Sequence, residues 1–338
     1  MPYQVALNFE DGVTRVINVE EDEMVTDAAF RQKINLPMDC RDGVCGTCKC
    51  KAETGTYELE FYMEEAMSED EAAEGFVLPC QMTVESDCVL SIPVSSEMCK
   101  TGAQSMSGMI TGIDALSETS FNLTVELDKA VGFLPGQYVN ISVPGTDLHR
   151  SYSFSSKPND ATATFLIRNL PGGAMSSYLA TGATDAPVTL TGPMGAFYLR
   201  PVVRPQLWLA GGTGLAPFLS MLEQLAEQCT DHPITLYYAV TKAADLVELE
   251  RVKTLAAAIG TVKVVTIVAD ADEGHARSGF VTDHITADDL NGGDVDVYLC
   301  GPHPMVEAVR AHFKTLGTEP ATFYFEKFAP TEAQADAA

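Results

Sequence analysis

The chain has 338 residues, 46% of them hydrophobic and 20% charged, which excludes a disordered polymer and leaves room for two or three domains with full cores. Its net charge of −26 sets nucleic acid aside as a partner, and no apolar run approaches the about 18 residues of a membrane-spanning helix. Nine cysteines, behind an N-terminus without a signal-peptide pattern, lead us to expect a reducing, cytoplasmic setting.

In chain order, a strand is predicted over 5–9, a hairpin turn at Asp11-Gly12, a second strand over 13–19 with period-two alternation, and a helix over 26–34. Then come Cys40, Cys45 and Cys48 in C-x4-C-x2-C spacing, with Cys80 after 31 intervening residues. This is the plant-type [2Fe–2S] spacing. Four thiolates hold two irons, and Gly43 and Gly46 let the loop wrap closely and aim N–H groups at sulfur. The alternative is a zinc site or reduced structural thiols, but zinc sites usually pair two C-x2-C knuckles and there is one here. Ser68 and Glu71 form a capping-box pattern ahead of a short helix closed by Gly75, so that Cys80 is expected at a strand entry past that helix. A strand over 89–94 and a linker over 95–101 follow. Cys50, Cys88, Cys99 and Cys229 lie off the pattern and read as ordinary thiols.

Acidity is densest in this first part. Residues 1–96 hold 6 Lys/Arg against 20 Asp/Glu, and residues 97–338 hold 15 against 27. Glu64, Glu65, Glu69, Asp70, Glu71 and Glu74 read either as a docking face for a redox partner or as a solvated acidic surface.

From about 105 to 200, short strands over 121–127, 137–143, 150–155, 163–168 and 188–192, separated by Gly and Pro, predict a small antiparallel barrel. From about 204 the pattern alternates: strand 206–210, helix 217–229, strand 234–240, helix 246–259, strand 262–268, a final strand 295–300 and helix 304–316. Such alternation means a parallel α/β sheet. The expected domains are 1–96, 103–202 and 204–328, with a flexible tail at 329–338.

Four patterns in this half carry chemistry. Gly211-Gly212-Thr213-Gly214-Leu215-Ala216-Pro217 joins a strand to a helix whose N-terminus attracts phosphate, or it is a plain connection. Arg150-Ser151-Tyr152-Ser153 offers a cation for pyrophosphate and a ring for stacking, or it is a structural strand. Gly173-Ala174-Met175-Ser176 opens another helix, with Ser176 a phosphate donor or a first-turn residue. Cys300-Gly301-Pro302 ends a strand where open α/β sheets bind ligands, its thiol facing a bound ring or simply buried.

Taken together, these motifs resemble the ferredoxin–NADP reductase superfamily in the form with an N-terminal plant-type ferredoxin. The chain is most similar to reductase (electron-transfer) components of benzoate, toluate or anthranilate 1,2-dioxygenases. The likeness runs from about residue 3 to 328. It implies a multidomain α+β and α/β protein: a β-grasp ferredoxin domain, an antiparallel β-barrel FAD domain and a parallel α/β nicotinamide-binding domain.

The resemblance also implies residue roles. Cys40, Cys45, Cys48 and Cys80 would hold the cluster. Arg150 would pair with the FAD pyrophosphate, Tyr152 stack on the flavin, and Ser153 hydrogen-bond near N5. Arg168, Gly173, Ala174, Met175 and Ser176 would serve the flavin nucleotide. Gly211, Gly212, Thr213, Gly214, Pro217, Gly301 and Pro302 would hold the nicotinamide cofactor, with Cys300 beside the reacting ring. Glu326 would lie near Ser153, the two and Cys300 forming the catalytic set, and Phe328 would cover the flavin until nicotinamide displaces it.

The expected activity is NADH-dependent transfer of electrons through FAD and [2Fe–2S] to the terminal oxygenase, of Rieske type, of a benzoate-type aromatic-ring 1,2-dioxygenase. The carboxylates in Ala269-Asp270-Ala271-Asp272-Glu273 would repel a 2′-phosphate and favour NADH, with Lys242 the nearby cation that weighs against this. Alternatives are a reductase for another multicomponent oxygenase, such as a di-iron monooxygenase, or a flavin-containing carrier or sensor without turnover. The protein is expected to be a monomer without membrane attachment.

Overall fold

The structure, a computed structural model, describes residues 2–38, 43, 46–64, 66–99 and 104–328, less the side chains of Gln104, Asp272, Lys327 and Phe328. The chain forms two compact units, one of residues 1–104 with 192–196, the other of 105–191 and 197–338.

In the first unit β1 (Tyr3–Phe9) and β2 (Thr14–Val19) form the expected antiparallel hairpin, turning at Gly12 with φ +78°. Val5, Leu7 and Phe9 alternate into the core, as the strand period requires. Helix α1 (Val25–Arg31) stops three residues before the expected end. Lys33 takes a left-handed φ of +68°, Lys33 N donates to Phe30 O and Ile34 N to Ala29 O. This is a Schellman closure with lysine where glycine usually sits, so no glycine announced it.

The unit continues with β3 (Cys50–Thr54), β4 (Tyr57–Leu59), α2 (Glu69–Ala73), β5 (Phe76–Val77), β6 (Met82–Val84) and β7 (Cys88–Ile92). The five-stranded sheet runs β2-β1-β7-β3-β5, with β1 and β7 parallel, and β4 and β6 make a separate ribbon. The capping box at α2 is present, Ser68 Oγ accepting from Glu71 N and Glu71 Oε2 from Ser68 N. Cys80 does not sit at a strand entry. It lies in a single 3-10 turn, Pro79–Gln81, because Pro79 fixes φ and lacks the N–H that would extend β5.

The second unit begins with β8 (Gln104–Ser117), which the sequence did not announce because its Ser and Gly residues blur the alternation. It is followed by β9 (Ser120–Val131), β10 (Tyr138–Ser142), β11 (His149–Ser153), β12 (Asp160–Arg168), α3 (Ala174–Leu179) and β13 (Pro187–Met194). The six-stranded order is β11-β10-β13-β8-β9-β12. A bridge between Phe154 and Phe165 brings the two end strands together and closes the barrel. Its core holds Ile110, Leu123, Val139, Phe154, Phe165 and Leu190.

Next come β14 (Gln206–Gly211), α4 (Ala216–Gln228), β15 (Ile234–Val240), α5 (Leu249–Ile259), β16 (Val262–Val268), β17 (Asp296–Pro302), α6 (His303–Leu316) and β18 (Thr322–Phe328). The parallel sheet runs β16-β15-β14-β17-β18. The strand expected to be last is therefore the fourth, and β18 adds a fifth at the edge. The order reverses between β14 and β17, and ligands of such sheets bind beyond the carboxyl ends at that point. Among the described residues no helix is long and apolar enough to cross a membrane.

Candidate active site

The ends of β14 and β17 are held against each other by their glycines. A Cβ on Gly214 would run into the carbonyl of Cys300, and one on Gly211 would come within 2.6 Å of Met305 Sδ and 3.0 Å of Pro302 Cδ. These two glycines let the loops pack together. Gly212 differs: its φ is +56° and a Cβ there would meet nothing within 4 Å, so it borders open space. A 3-10 turn over Gly212–Leu215 precedes α4, and Pro217 lies in the first turn of α4.

The parallel register sets Cys300 directly beside Glu326. Cys300 Sγ lies 3.8 Å from Glu326 Oε2, and Ser153 Oγ, from the end of barrel strand β11, donates to the same oxygen at 2.9 Å. Three residues, two from the sheet and one from the barrel, thus converge. Burial, reinforced by the Glu326 carboxylate, pushes the Cys300 thiol well above its ordinary range. Thiolate formation is disfavoured there.

On β11, Arg150 Nη1 donates to His149 O, and among the described residues its guanidinium has no carboxylate partner. Such a cation fits a pyrophosphate. Tyr152 packs on the barrel core, where burial pushes its phenol upward. Arg168 ends β12 with its side chain in solvent. Gly173 caps α3, and Ala174, Met175 and Ser176 form its first turn, with Met175 buried. The Ser176 hydroxyl is turned to its own loop: it accepts from Leu170 N at 2.8 Å and donates to Arg168 O at 3.4 Å. Its hydrogen bonds thus express the first-turn, loop-ordering reading. The backbone of Phe328 pairs with Pro302, but its side chain lies outside the description.

In the first unit, Cys48 and Cys80 are buried, with Sγ atoms 3.3 Å apart. Two thiolates on one tetrahedral metal stand about 3.8 Å apart at metal–sulfur distances near 2.3 Å, about half an ångström more than this pair, so both sulfurs lie within reach of one metal. Gly46 has φ +72°, and a Cβ there would come within 2.8 Å of Ala66 O. The Lys49–Glu71 ion pair at 2.6 Å ties the segment after Cys48 to α2. Glu71 is therefore committed to the fold and drops out of the acidic face. Cys40 and Cys45, and Glu65 of that face, lie outside the described residues. Cys50, Cys88 and Cys99 are buried and Cys229 is exposed.

Two exposed groups near the end of β16 lie outside the motifs of the sequence. Phe280 leaves 71% of its surface in solvent beside Gly279, whose N–H donates to Val268 O at the end of β16. A large ring in the polar run Ser278-Gly279-Phe280 was the available signal. Arg277 is a second exposed cation there, its carbonyl accepting from Val268 N. The exits of β15 and β16 stay in register, Asp270 N donating to Thr241 O, which sets Asp270 near Lys242.

Three family profiles match in order along the chain: 2Fe-2S iron-sulfur cluster binding domain over 8–85, oxidoreductase FAD-binding domain over 110–198, and oxidoreductase NAD-binding domain over 208–311. The chain is 52% identical to the toluate 1,2-dioxygenase electron transfer component of Pseudomonas putida, over 97% of this chain and 99% of the relative. It is 50% identical to the 2-halobenzoate 1,2-dioxygenase electron transfer component of Burkholderia cepacia, over 98% and 99%. The chain belongs to the family of dioxygenase electron transfer components. Among solved structures, this electron transfer component is similar to the Amycolatopsis cytochrome P450 reductase GcoB, with TM-score 0.71, 28% identity, and coverage of 96% of this chain and 99% of the other. It is an oxidoreductase that uses FAD, a [2Fe–2S] cluster and NADH.

Proposed function

We propose that this electron transfer component serves the terminal oxygenase, of Rieske type, of an aromatic-acid 1,2-dioxygenase, acting as a monomer in the cytoplasm. Near full-length identity to the toluate and halobenzoate components supports the partner. Bound FAD would supply two-electron hydride chemistry with NADH, and the cluster held by the four cysteines would supply a one-electron outlet. The chain's own residues bind, orient and exclude.

Arg150 would grip the flavin pyrophosphate as a fork, and Tyr152 would offer its ring to the flavin face. Ser153 would present its hydroxyl at the reacting edge, held there by Glu326. Cys300, neutral and buried, would set the depth at which a nicotinamide ring can lie. Gly212 leaves room for the dinucleotide backbone, and Phe280 offers a flat ring to its adenine. Asp270 would accept from a ribose hydroxyl and repel a 2′-phosphate, which favours NADH. Cys40, Cys45, Cys48 and Cys80 would hold the cluster.

The observation that carries this reading is the convergence of Ser153, Glu326 and Cys300 on one oxygen at the switch point of the sheet. The test is anaerobic titration with NADH, followed by visible absorbance and low-temperature EPR, then mixing with a ring-hydroxylating oxygenase. The reading expects flavin bleaching, a reduced [2Fe–2S] signal and transfer to the oxygenase. Transfer only to a di-iron monooxygenase would move the protein to the alternative partner.

A further inference from the structure

Segment 60–63 is stitched to both described parts of the cluster framework. Glu60 N donates to Gln81 O at 2.8 Å, beside Cys80, and Met63 N donates to Gly43 O at 3.0 Å, inside the C-x4-C loop. A Cβ on Gly43 would run into the carbonyl of Phe61. Tyr62 packs inward on the group containing Cys48, Leu78 and Cys80. Its two neighbours point outward: Phe61 is 69% exposed and Met63 42%. An apolar pair held in water beside a redox centre, with a charged surround, has the layout of an interaction site.

The surround is of one sign. Between Lys51 and Lys100 the sequence has 12 Asp/Glu and no Lys, Arg or His. Glu60 and Glu64 flank the apolar pair directly.

We propose that Phe61 and Met63 form the apolar centre, and Glu60 and Glu64 the acidic rim, of the surface by which the cluster-bearing unit docks on the oxygenase. This rests on the reading that an oxygenase takes the electrons. The occupant presents an apolar socket edged with Lys and Arg. Charge favours an external partner over the rest of this chain, because residues 97–338 are themselves acidic, with 15 Lys/Arg against 27 Asp/Glu. The aromatic ring is the anchor, and methionine adapts to an irregular socket.

The test uses the holoprotein and its variants Phe61→Ala, Met63→Ala and Glu60→Gln/Glu64→Gln, with cluster and flavin content checked by absorbance. Binding of the oxidised chain to the purified oxygenase of the toluate 1,2-dioxygenase system is measured by calorimetry at low and physiological salt. NADH-driven reduction of the chain's own cluster is followed in parallel by stopped flow. Phe61→Ala is expected to raise Kd by about tenfold or more, and Met63→Ala less. The double glutamine variant weakens binding at low salt and flattens its salt dependence. All leave internal cluster reduction unchanged. Slower internal reduction in Phe61→Ala, with Kd unchanged, would show that this face serves the chain's own flavin-bearing unit and would overturn the proposal. Unchanged values of both would do the same, showing plain solvent surface. Wild-type protein that neither binds nor reduces the oxygenase would instead sink the partner reading, before any variant is compared.

Discussion

Ser153 Oγ donates to Glu326 Oε2 at 2.9 Å across 173 positions of sequence. The barrel and the last strand of the parallel sheet share this bond, so a hydroxyl at the end of β11 is oriented by a carboxylate from β18. Ser153→Ala should retain FAD yet slow flavin reduction by NADH by about 10²-fold. Glu326→Gln should slow it less, since the amide oxygen can still accept. Stopped-flow bleaching at saturating NADH reads both. Equal bleaching rates in wild type and Ser153→Ala would remove the hydroxyl from the hydride step.

Gly214 has no room for a methyl group because the Cys300 carbonyl occupies that space. Gly214→Ala should push the β14 and β17 loops apart, costing about 1–3 kcal/mol of stability, and should raise KM for NADH. Gly212→Ala meets no neighbour but must hold a positive φ, so it costs stability through strain alone. Thermal melts and NADH titrations of the two variants separate crowding from strain.

Phe280 stands in solvent near the end of β16, where the proposed function sets the dinucleotide, and contributes little to the fold. Phe280→Ala should raise KM for NADH with kcat and melting temperature nearly unchanged, the signature of lost uniform binding. Asp270→Ser should lower the ratio of NADH to NADPH efficiency. Steady-state kinetics with both cofactors check each expectation, and an unmoved KM in Phe280→Ala would take the ring out of the binding site.

The buried thiols predict an alkaline limit. Burial raises Cys50, lifts Cys99 to about 12, and raises Cys300, with Glu326 adding to the last. Their folded pKa values exceed the unfolded value near 8.5, so the unfolded chain sheds protons first as pH rises. Their contribution to stability is therefore complete below about pH 8.5 and declines above it, toward pH 12 for Cys99. Denaturant melts on the alkaline side should show this fall. A thiol reagent at pH 8 should label exposed Cys229 first.

Glu71 has two tasks: its Oε2 closes the capping box and its Oε1 holds Lys49. Glu71→Ala should cost about 1 kcal/mol or more and hasten loss of the cluster from the first unit. Glu69→Gln, on the exposed side of α2, should not. Cluster absorbance during mild heating reads the difference.

Local turns and caps were legible where their residues are chemically distinctive and closely spaced. The Gly211–Gly214 turn and the Ser68/Glu71 cap each announce themselves within a few residues, whereas Cys40 and Cys45 lie outside the described residues. The strands that went unannounced owe their state to pairing. In β8 the run Ser105-Met106-Ser107-Gly108-Met109 has little alternation, and β9 supplies the ladder that makes it extended. Strand β18 lies beyond the strand expected to be last: Phe323, Tyr324 and Phe325 in succession show no alternation, and pairing with β17 makes the segment extended. Helix α1 ends at Arg31, short of its periodic pattern, because a lysine, Lys33, occupies the left-handed position. The exposure of the Phe280 ring carries no sequence signal, because it is a property of the fold and not of the local sequence.

The ladder between β17 and β18 sets Cys300 against Glu326 and Gly301 against Lys327. A strand slipped by one step would present Phe325 or Lys327 where the carboxylate belongs, and would turn every side chain to the other face. The turn at 317–321 thus acts as a spacer whose length is read as chemistry. Adding or removing one residue there would leave a protein that still folds, yet sets a phenyl ring or an ammonium group beside Cys300.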